Sequence, residues 1–235
     1  MALLAAAGCA GAAPPAYPPG QASTGQPAAP SAGPRTVTTE LGGRHTAELQ
    51  VLSGATTVTV GTAALGGDLA RASVPPGAGV RPRLVVSGST VQVFLDSAGT
   101  SGPATVAVTL SSAVAWRLAF NGGATVTSVF LGRGRLRGAD FTAGSSQITL
   151  RLPRPHGTVP VVLAGGASQV TVTTPHGVPA QLDLDGGAGH AALDGQAYSG
   201  VAGGTVLTGP GWTAAVSRYD IEAPAGISSI TVGHW

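Results

Sequence analysis

The segment Ser-Gln-Ile-Thr-Leu at residues 146–150 returns almost unchanged as Ser-Gln-Val-Thr-Val at residues 168–172, 22 positions further along the chain. The apolar run at residues 161–163, followed by Gly-Gly-Ala, recurs at residues 182–184 with an offset of 21. A period of this length, which holds two short strands and two turns, is typical of stacked coils, because one coil alone cannot bury its inner side.

The alternation within each repeat predicts which side chains face the core. Apolar residues occupy every second position, so that Gln147, Thr149 and Arg151 should face solvent while their neighbours point inward. The expected inward residues are Ile148, Leu150, Leu152, Val170, Val172, Leu182 and Leu184. The sequence therefore predicts an all-β fold, a β-solenoid or right-handed β-helix-like stack of 21–22-residue coils. A β-sandwich is the alternative, since it also joins short strands by turns.

The repeats divide the chain into three predicted parts. Residues 36–235 form a repetitive β domain, less regular over 36–112 and built of regular coils with a C-terminal cap over 113–235. Within the cap we expect Trp212 and Tyr219 to cover the open end of the core. Paired glycines, such as those at 165 and 166, should mark corners that need a positive φ or a close approach of neighbouring coils.

The N-terminal residues predict an exported protein held by a tether. Residues 1–9 resemble the end of a bacterial lipoprotein signal, in which an apolar run and small residues lead to a lipidated cysteine, here Cys9. The segment before Cys9 is short for a whole signal, so we expect the true translation start to lie upstream. Residues 10–35 are rich in Pro, Ala and Gly and predict a disordered linker, because they cannot bury enough apolar surface to order themselves.

Composition excludes several classes of function. The net charge is +2, only 9% of residues are charged and 4% are aromatic, which does not fit a nucleic-acid binder. The single cysteine rules out a disulfide within the chain. No phosphate-binding, dinucleotide or hydrolase motif is present in the sequence, and we expect no cofactor. Contact with a membrane is expected only through a lipid at Cys9.

Short turn motifs carry a resemblance to a known group of proteins. The chain resembles the adhesin-like β-helical domains of bacterial cell-envelope proteins in its apolar strands joined by small-residue turns. The residues that carry it are Leu52-Ser53-Gly54-Ala55, Val86-Ser87-Gly88, Gly122-Gly123-Ala124, Gly165-Gly166-Ala167 and Gly186-Gly187-Ala188. The resemblance implies an extracytoplasmic β-helical module with no catalytic motif. Together with the signal-like N-terminus, it leads us to expect a protein that is attached to the membrane by lipid or secreted.

Asp183 and Asp185 form the best candidate pair of catalytic carboxylates. Residues two apart on a strand share a face, about 6 to 7 Å apart, a separation that glycosidases use. His190 and Asp194 lie close by in sequence. Alternation alone, however, also predicts two solvated aspartates on a Leu-Asp-Leu-Asp strand.

His156 and His176 form a candidate metal site. Both occupy a Pro-His-Gly turn, 20 positions apart, and on adjacent coils they would lie about 5 Å from each other. Two imidazoles at that distance can share a metal ion. A preference of the turn for this tripeptide explains the pair equally well, and the favoured prediction is no metal.

Arg133, Arg135 and Arg137 form a candidate binding face. On a strand all three guanidinium groups would project from one side and could bind anionic envelope polymers, although a solvated strand face is the simpler explanation. The favoured function is thus a non-enzymatic, surface-anchored structural or adhesin-like module that contacts such polymers or another surface protein. The alternative is a polysaccharide-active β-helical enzyme, a hydrolase or lyase, that uses Asp183 and Asp185.

Overall fold

The structure, a computed structural model, describes residues 35–235. The predicted signal-like segment with Cys9, and the predicted linker up to residue 34, lie outside the described residues. Within the described part every regular element is a β-strand, so the all-β prediction is confirmed. In residues 35–235 no helix is long and apolar enough to cross a membrane.

The strands form two mixed sheets. Sheet A has ten strands in the spatial order β1 (Arg35–Glu40), β4 (Asp68–Val74), β7 (Thr105–Ser111), β3 (Ala55–Ala63), β9 (Ala124–Phe130), β11 (Ser145–Arg151), β13 (Ala167–Thr174), β19 (Ile227–His234), β15 (Ala188–Leu193) and β16 (Gln196–Val201). Sheet B has nine, in the order β17 (Thr205–Thr208), β14 (Ala180–Leu184), β18 (Arg218–Glu222), β12 (Thr158–Leu163), β10 (Arg135–Phe141), β8 (Ala115–Phe120), β2 (Thr46–Val51), β6 (Thr90–Ser97) and β5 (Val80–Ser87).

The chain passes from sheet B to sheet A and back in its central part. Strands β8, β10 and β12 of sheet B are each followed by a strand of sheet A, namely β9, β11 and β13, and neighbours within each sheet run parallel. Antiparallel strands form the ends of both sheets. Sheet A has β1 and β4 at one end and β16 at the other, and sheet B has β17 at one end and β5 at the other. Buried side chains from both sheets form one hydrophobic cluster.

The predicted register is confirmed between β11 and β13. Gln147 pairs with Gln169, Ile148 with Val170 and Leu150 with Val172, which is the offset that the sequence repeat contains. All the residues expected to face inward are buried. A slip by one residue would expose every one of these apolar side chains, which is why the alternation specifies the register.

The predicted order of stacking is wrong beyond residue 174. The repeat aligned residues 161–163 with 182–184 as direct neighbours, but β18 lies between β12 and β14, so that Val161 pairs with Ile221 and Ile221 with Leu182. In sheet A, β19 likewise lies between β13 and β15. The last two strands are therefore inserted inside the stack. Tyr219 on β18 is fully buried in its interior, which corrects the prediction that it caps an end.

Corner glycines are required for close approach. A Cβ added at Gly165 would lie 2.3 Å from the carbonyl carbon of Ala143 in the neighbouring corner, and one at Gly186 would lie 2.3 Å from that of Ala225. Neither glycine is among the residues with a positive φ. Of the two reasons that the sequence suggested for glycine at these corners, contact between adjacent backbones is therefore the operative one.

Candidate functional site

A groove rich in basic residues lies where β8, β10 and β12 begin. It has a volume of about 370 Å³ and is called the basic groove here. Its lining residues are Ala115, Arg135, Leu136, Arg137, His156, Thr158 and Val159. Arg135 and Arg137 are exposed on β10, and His156 belongs to the turn that precedes β12.

A β-bulge in β10 orients these arginines. Leu136 pairs with Trp116 and Gly138 with Arg117, so Arg137 is an extra residue with no partner on β8. Bulges change the direction in which side chains project and increase the local twist. Arg135 donates a hydrogen bond to the Ala113 carbonyl, which holds its guanidinium over the start of β8.

The basic groove carries uncompensated positive charge. In residues 35–235, neither Arg135 nor Arg137 forms an ion pair with a carboxylate, whereas Arg117 on the adjacent strand lies 2.8 Å from Asp140. Guanidinium groups offer several N–H donors in one plane and suit carboxylate or phosphate groups. The groove can therefore accept an anionic group from solvent.

Arg133 is separated from the other two arginines, which corrects the prediction of a single face for all three. β10 begins only at Arg135, and Arg133 lies in the preceding turn, closed by a 2.7 Å hydrogen bond from the Gly134 N–H to the Leu131 carbonyl. Its side chain lines a second groove, of about 560 Å³, with Thr62, Phe130, Gly132, Arg151 and Trp235. We call this second site the aromatic groove.

The candidate aspartate pair lies at β14, which is separated from β12 in sheet B by β18. Asp183 is half-buried on β14, and Asp185 is exposed just after that strand ends. On one of its two neighbouring strands, β18, Glu222 pairs with Asp183 and Asp220 with Gln181. The structure thus groups Asp183 with carboxylates that are distant in sequence. A catalytic role for Asp183 and Asp185 stays a prediction.

Crowding of carboxylates changes their acidity. Burial raises the pKa of Asp220, and Asp183 raises it further, while Arg218 lowers it. The pKa of Glu222 is also raised, first by burial and then by the charges of its acidic neighbours, Asp220 and Asp183 foremost. Both shifts arise because the ionised forms are poorly solvated and repel each other.

The two predicted histidine ligands are not on neighbouring strands. His156 precedes β12 and His176 precedes β14, and β18 lies between them in sheet B. The ring of His176 instead lies 5.8 Å from that of His234. His234 is 3.0 Å from both Thr174 Oγ1 and Asp194 Oδ1. Within residues 35–235, no group of three or more His, Cys, Asp or Glu residues is arranged to hold a metal ion.

His190, suggested near the aspartates, and the two aromatic residues expected in the cap have structural partners. His190 Nδ1 lies 3.2 Å from the Ser199 hydroxyl, across the β15–β16 pair. Trp212 donates its indole N–H to the Tyr219 carbonyl at 3.0 Å, and the Tyr219 hydroxyl donates to the Pro153 carbonyl at 2.8 Å. Burial raises the pKa of Tyr219. Tyr219 therefore ties β18 to the loop before β12, and Trp212 ties the segment before β18 to that strand.

The aromatic groove was not predicted from the sequence. Its members come from β3, β9, the turn after β9, β11 and the residue after β19, and Trp235 lies far from Phe130 along the chain. One signal was available: Phe130 stands between Val129 and Leu131, which are both buried, so alternation places a large aromatic side chain on the solvent side.

Comparison with known proteins gives a likeness of fold. No protein-family model and no curated protein sequence matches the chain. A solved structure from Clostridium sporogenes, described as "a putative cell adhesion protein", matches with a TM-score of 0.62 at 11% identity, over 86% of this chain and 99% of that one. A "putative adhesin" from Bacteroides fragilis covers 86% of this chain and 98% of its own, at 9% identity and a TM-score of 0.30. The first similarity shows a shared fold.

Proposed function

We propose that this chain is a non-enzymatic, adhesin-like interaction module of a bacterial cell envelope, which binds anionic polymers through the basic groove. In this proposal the module is extracytoplasmic, with a lipid at Cys9 and residues 10–35 as a spacer from the membrane. The shared fold with a protein described as a putative cell adhesion protein supports the adhesive role. Fold alone does not fix function, and the basic groove is the stronger support for the proposal.

The observation that carries the proposal is the unpaired charge of Arg135 and Arg137. In a chain with only 9% charged residues, two exposed guanidinium groups share a groove with His156 and have no carboxylate partner in residues 35–235. A polyanion would bring phosphate or carboxylate groups to these donors and release its counterions, which favours binding at low salt.

The architecture supports a solenoid-like module as the finer description. Each pair of strands, one in sheet B and one in sheet A, forms a coil, and parallel pairing at the nearly constant offset of the sequence repeat continues from β8 to β13. Such stacks present long ladders of outward side chains to large partners. In this proposal the basic groove lies on one of those ladders.

Binding of polyglycerol phosphate to the immobilised full-length protein tests the proposal. We expect Arg135→Ala combined with Arg137→Ala to weaken binding at least about tenfold at low salt and to reduce its salt dependence. Arg71→Ala combined with Arg81→Ala removes the same charge from β4 and β5 and is the matched control. If both double variants weaken binding equally, net charge alone explains the loss, and the proposal is contradicted.

A further inference from the structure

The aromatic groove brings two exposed aromatic rings together on one surface. Phe130 is 46% exposed and Trp235 is 38% exposed, whereas Trp116, Phe141 and Tyr219 are buried. Large apolar groups that share one concave surface are typical of binding sites. The position of Trp235 is fixed, because its backbone N–H donates to Thr174 O at 2.9 Å and its indole N–H to Leu152 O at 3.3 Å.

Arg151 is stacked on Trp235 but keeps its hydrogen-bond donors free. Its guanidinium carbon lies 4.0 Å from the ring centroid. Stacking uses the face of a guanidinium, whereas its N–H donors point outward in its plane. Among residues 35–235, neither the Arg151 nor the Arg133 guanidinium takes part in a side-chain hydrogen bond or ion pair.

Two other stacked arginines in the molecule have these donors occupied. Arg83 lies 4.3 Å over Phe94, and Asp96 accepts two hydrogen bonds from it, at 2.8 and 3.2 Å. Arg218 lies 4.0 Å over Trp212 and donates to Thr158 Oγ1 and to the Trp212 carbonyl. Arg151 thus repeats the arrangement of Arg83 without the carboxylate, and a carboxylate is the group that completes it.

The floor of the groove leaves room for a flat ligand. Phe130 pairs with Gly61 on one side and with Arg151 on the other, so glycine flanks the exposed ring. Gly132 has no side chain, and a Cβ there would lie 3.8 Å from the Trp235 ring. A pyranose ring has an apolar C–H face that packs on the negative face of an aromatic ring.

We propose that the aromatic groove binds a uronic acid residue of an acidic polysaccharide. Arg151 and Arg133 bind its carboxylate, and the exposed faces of Phe130 and Trp235 contact its sugar ring. The inference rests on the proposed function in one respect: the polymer must reach the protein from outside the cell. The binding site differs from the basic groove, and its ligand combines a carboxylate with an apolar face.

Titration of the full-length protein with hexameric oligogalacturonate, by calorimetry and tryptophan fluorescence, tests this proposal. The fully methyl-esterified hexamer keeps the rings and removes the charge. We expect it to bind at least about tenfold more weakly than the acid. We also expect Arg151→Gln to weaken binding of the acid at least about tenfold, and Gly132→Leu to abolish binding by filling the floor of the groove.

Arg83→Gln is the matched control, because it removes the stacked arginine that already has a carboxylate partner, and we expect it to bind the acid as the unchanged protein does. Unchanged binding by Arg151→Gln would overturn the proposal, as would the absence of binding at millimolar ligand. A dimer in sedimentation that Gly132→Leu dissociates would also overturn it, since a second copy would then cover the groove.

The two proposals fail separately. If the binding of polyglycerol phosphate depends on Arg135 and Arg137 while oligogalacturonate does not bind, the proposed uronate site is wrong and the proposed function stands. If oligogalacturonate binds with equal strength to Arg151→Gln and is displaced by polyglycerol phosphate, only general attraction of polyanions is at work, and the uronate site is again wrong. If no anionic polymer binds at either groove, both proposals are wrong.

Discussion

Residues 131–174 and residues 175–235 build the same two sheets in different ways. In the first segment β10 to β13 stack in chain order, and five arginines against one aspartate give a net charge of +4. In the second the chain folds back so that β18 and β19 enter the stack, and five carboxylates against one arginine give a net charge of −4. The protein is nearly neutral overall because two oppositely charged segments offset each other.

This difference shows that packing and charge are set by different features. Each segment has a glycine corner, at Gly165 and at Gly186, where the neighbouring backbone leaves no space for a Cβ. Insertion of β18, however, brings Asp220 and Glu222 next to Asp183, where the carboxylates repel each other. Four of the five arginines of the first segment line open grooves instead. Like charges that crowd destabilise, and unpaired cations at a groove are available to a ligand.

Removal of residues 210–235 is the strongest test of the second segment. This change deletes β18 and β19 and with them the buried residues Tyr219, Ile221, Ile227, Ile230 and Val232. We expect loss of the whole free energy of unfolding, about 5 to 15 kcal/mol for a domain, because β12 and β14 lose β18 between them and β13 and β15 lose β19. The measurement is thermal unfolding followed by circular dichroism.

A peptide of residues 210–235 added to the truncated chain is the control and should restore the unfolding transition. A truncated chain that unfolds cooperatively without the peptide would contradict the expectation. It would mean that β14 can take the place of β18 beside β12, in the order that the sequence repeat alone suggests.

Glycine corners test whether the two segments pack alike. Gly165→Ala and Gly186→Ala should each lower the free energy of unfolding by about 2 kcal/mol or more, since each new methyl group would lie 2.3 Å from a backbone carbon. Gly67→Ala is the control, because nothing lies within 4 Å of a Cβ there, and we expect a change within about 0.5 kcal/mol. Urea unfolding measures all three. A large effect at only one corner would show that the segments pack differently.

Glu222→Gln tests the repulsion among the carboxylates of β14 and β18, and it should have the smallest effect on the free energy of unfolding. A raised pKa in the folded state means that folding favours the protonated form, so stability is greatest at low pH and falls as pH rises from the ordinary carboxyl range through the folded pKa. At pH 7 the neutral Gln should therefore stabilise the protein, by about 0.5 kcal/mol or less after screening by solvent.

The gain from Glu222→Gln should disappear below about pH 4, where the glutamate is protonated in the native and unfolded chains alike. Denaturant unfolding at pH 7 and at pH 3.5 gives the comparison, with Glu40→Gln on β1 as the control. Destabilisation at pH 7 would contradict the assignment of repulsion at this site.

Local features of the fold were predictable from the sequence. The near-identity of residues 147–150 and 169–172 specified their register, because the alternation of apolar residues allows one face only toward the core. The position of β18 was not predictable in this way. Its alternation of Tyr219 and Ile221 describes a buried strand but carries no information about which strands lie beside it.

Prediction of the candidate sites was limited for the same reason. The arginine run was visible, yet a turn separates Arg133 from β10 and a single-residue bulge lies at Arg137, and neither feature is encoded by alternation. The aromatic groove needs Trp235 beside Arg151, a contact between positions that lie far apart in the sequence. Such a contact follows from the order of strands in the sheet and not from any local pattern.

The position of β18 and β19 has a consequence for the time course of folding. Val161 pairs with Ile221, far later in the chain, so the central part of the stack is completed only when β18 and β19 have been made. Pairing over long separations slows folding, because loop-closure entropy is lost before the contacts form. During synthesis β12 and β14 would emerge before their common neighbour, with unpaired edges that can associate with other chains. We expect refolding to be slow and sensitive to protein concentration.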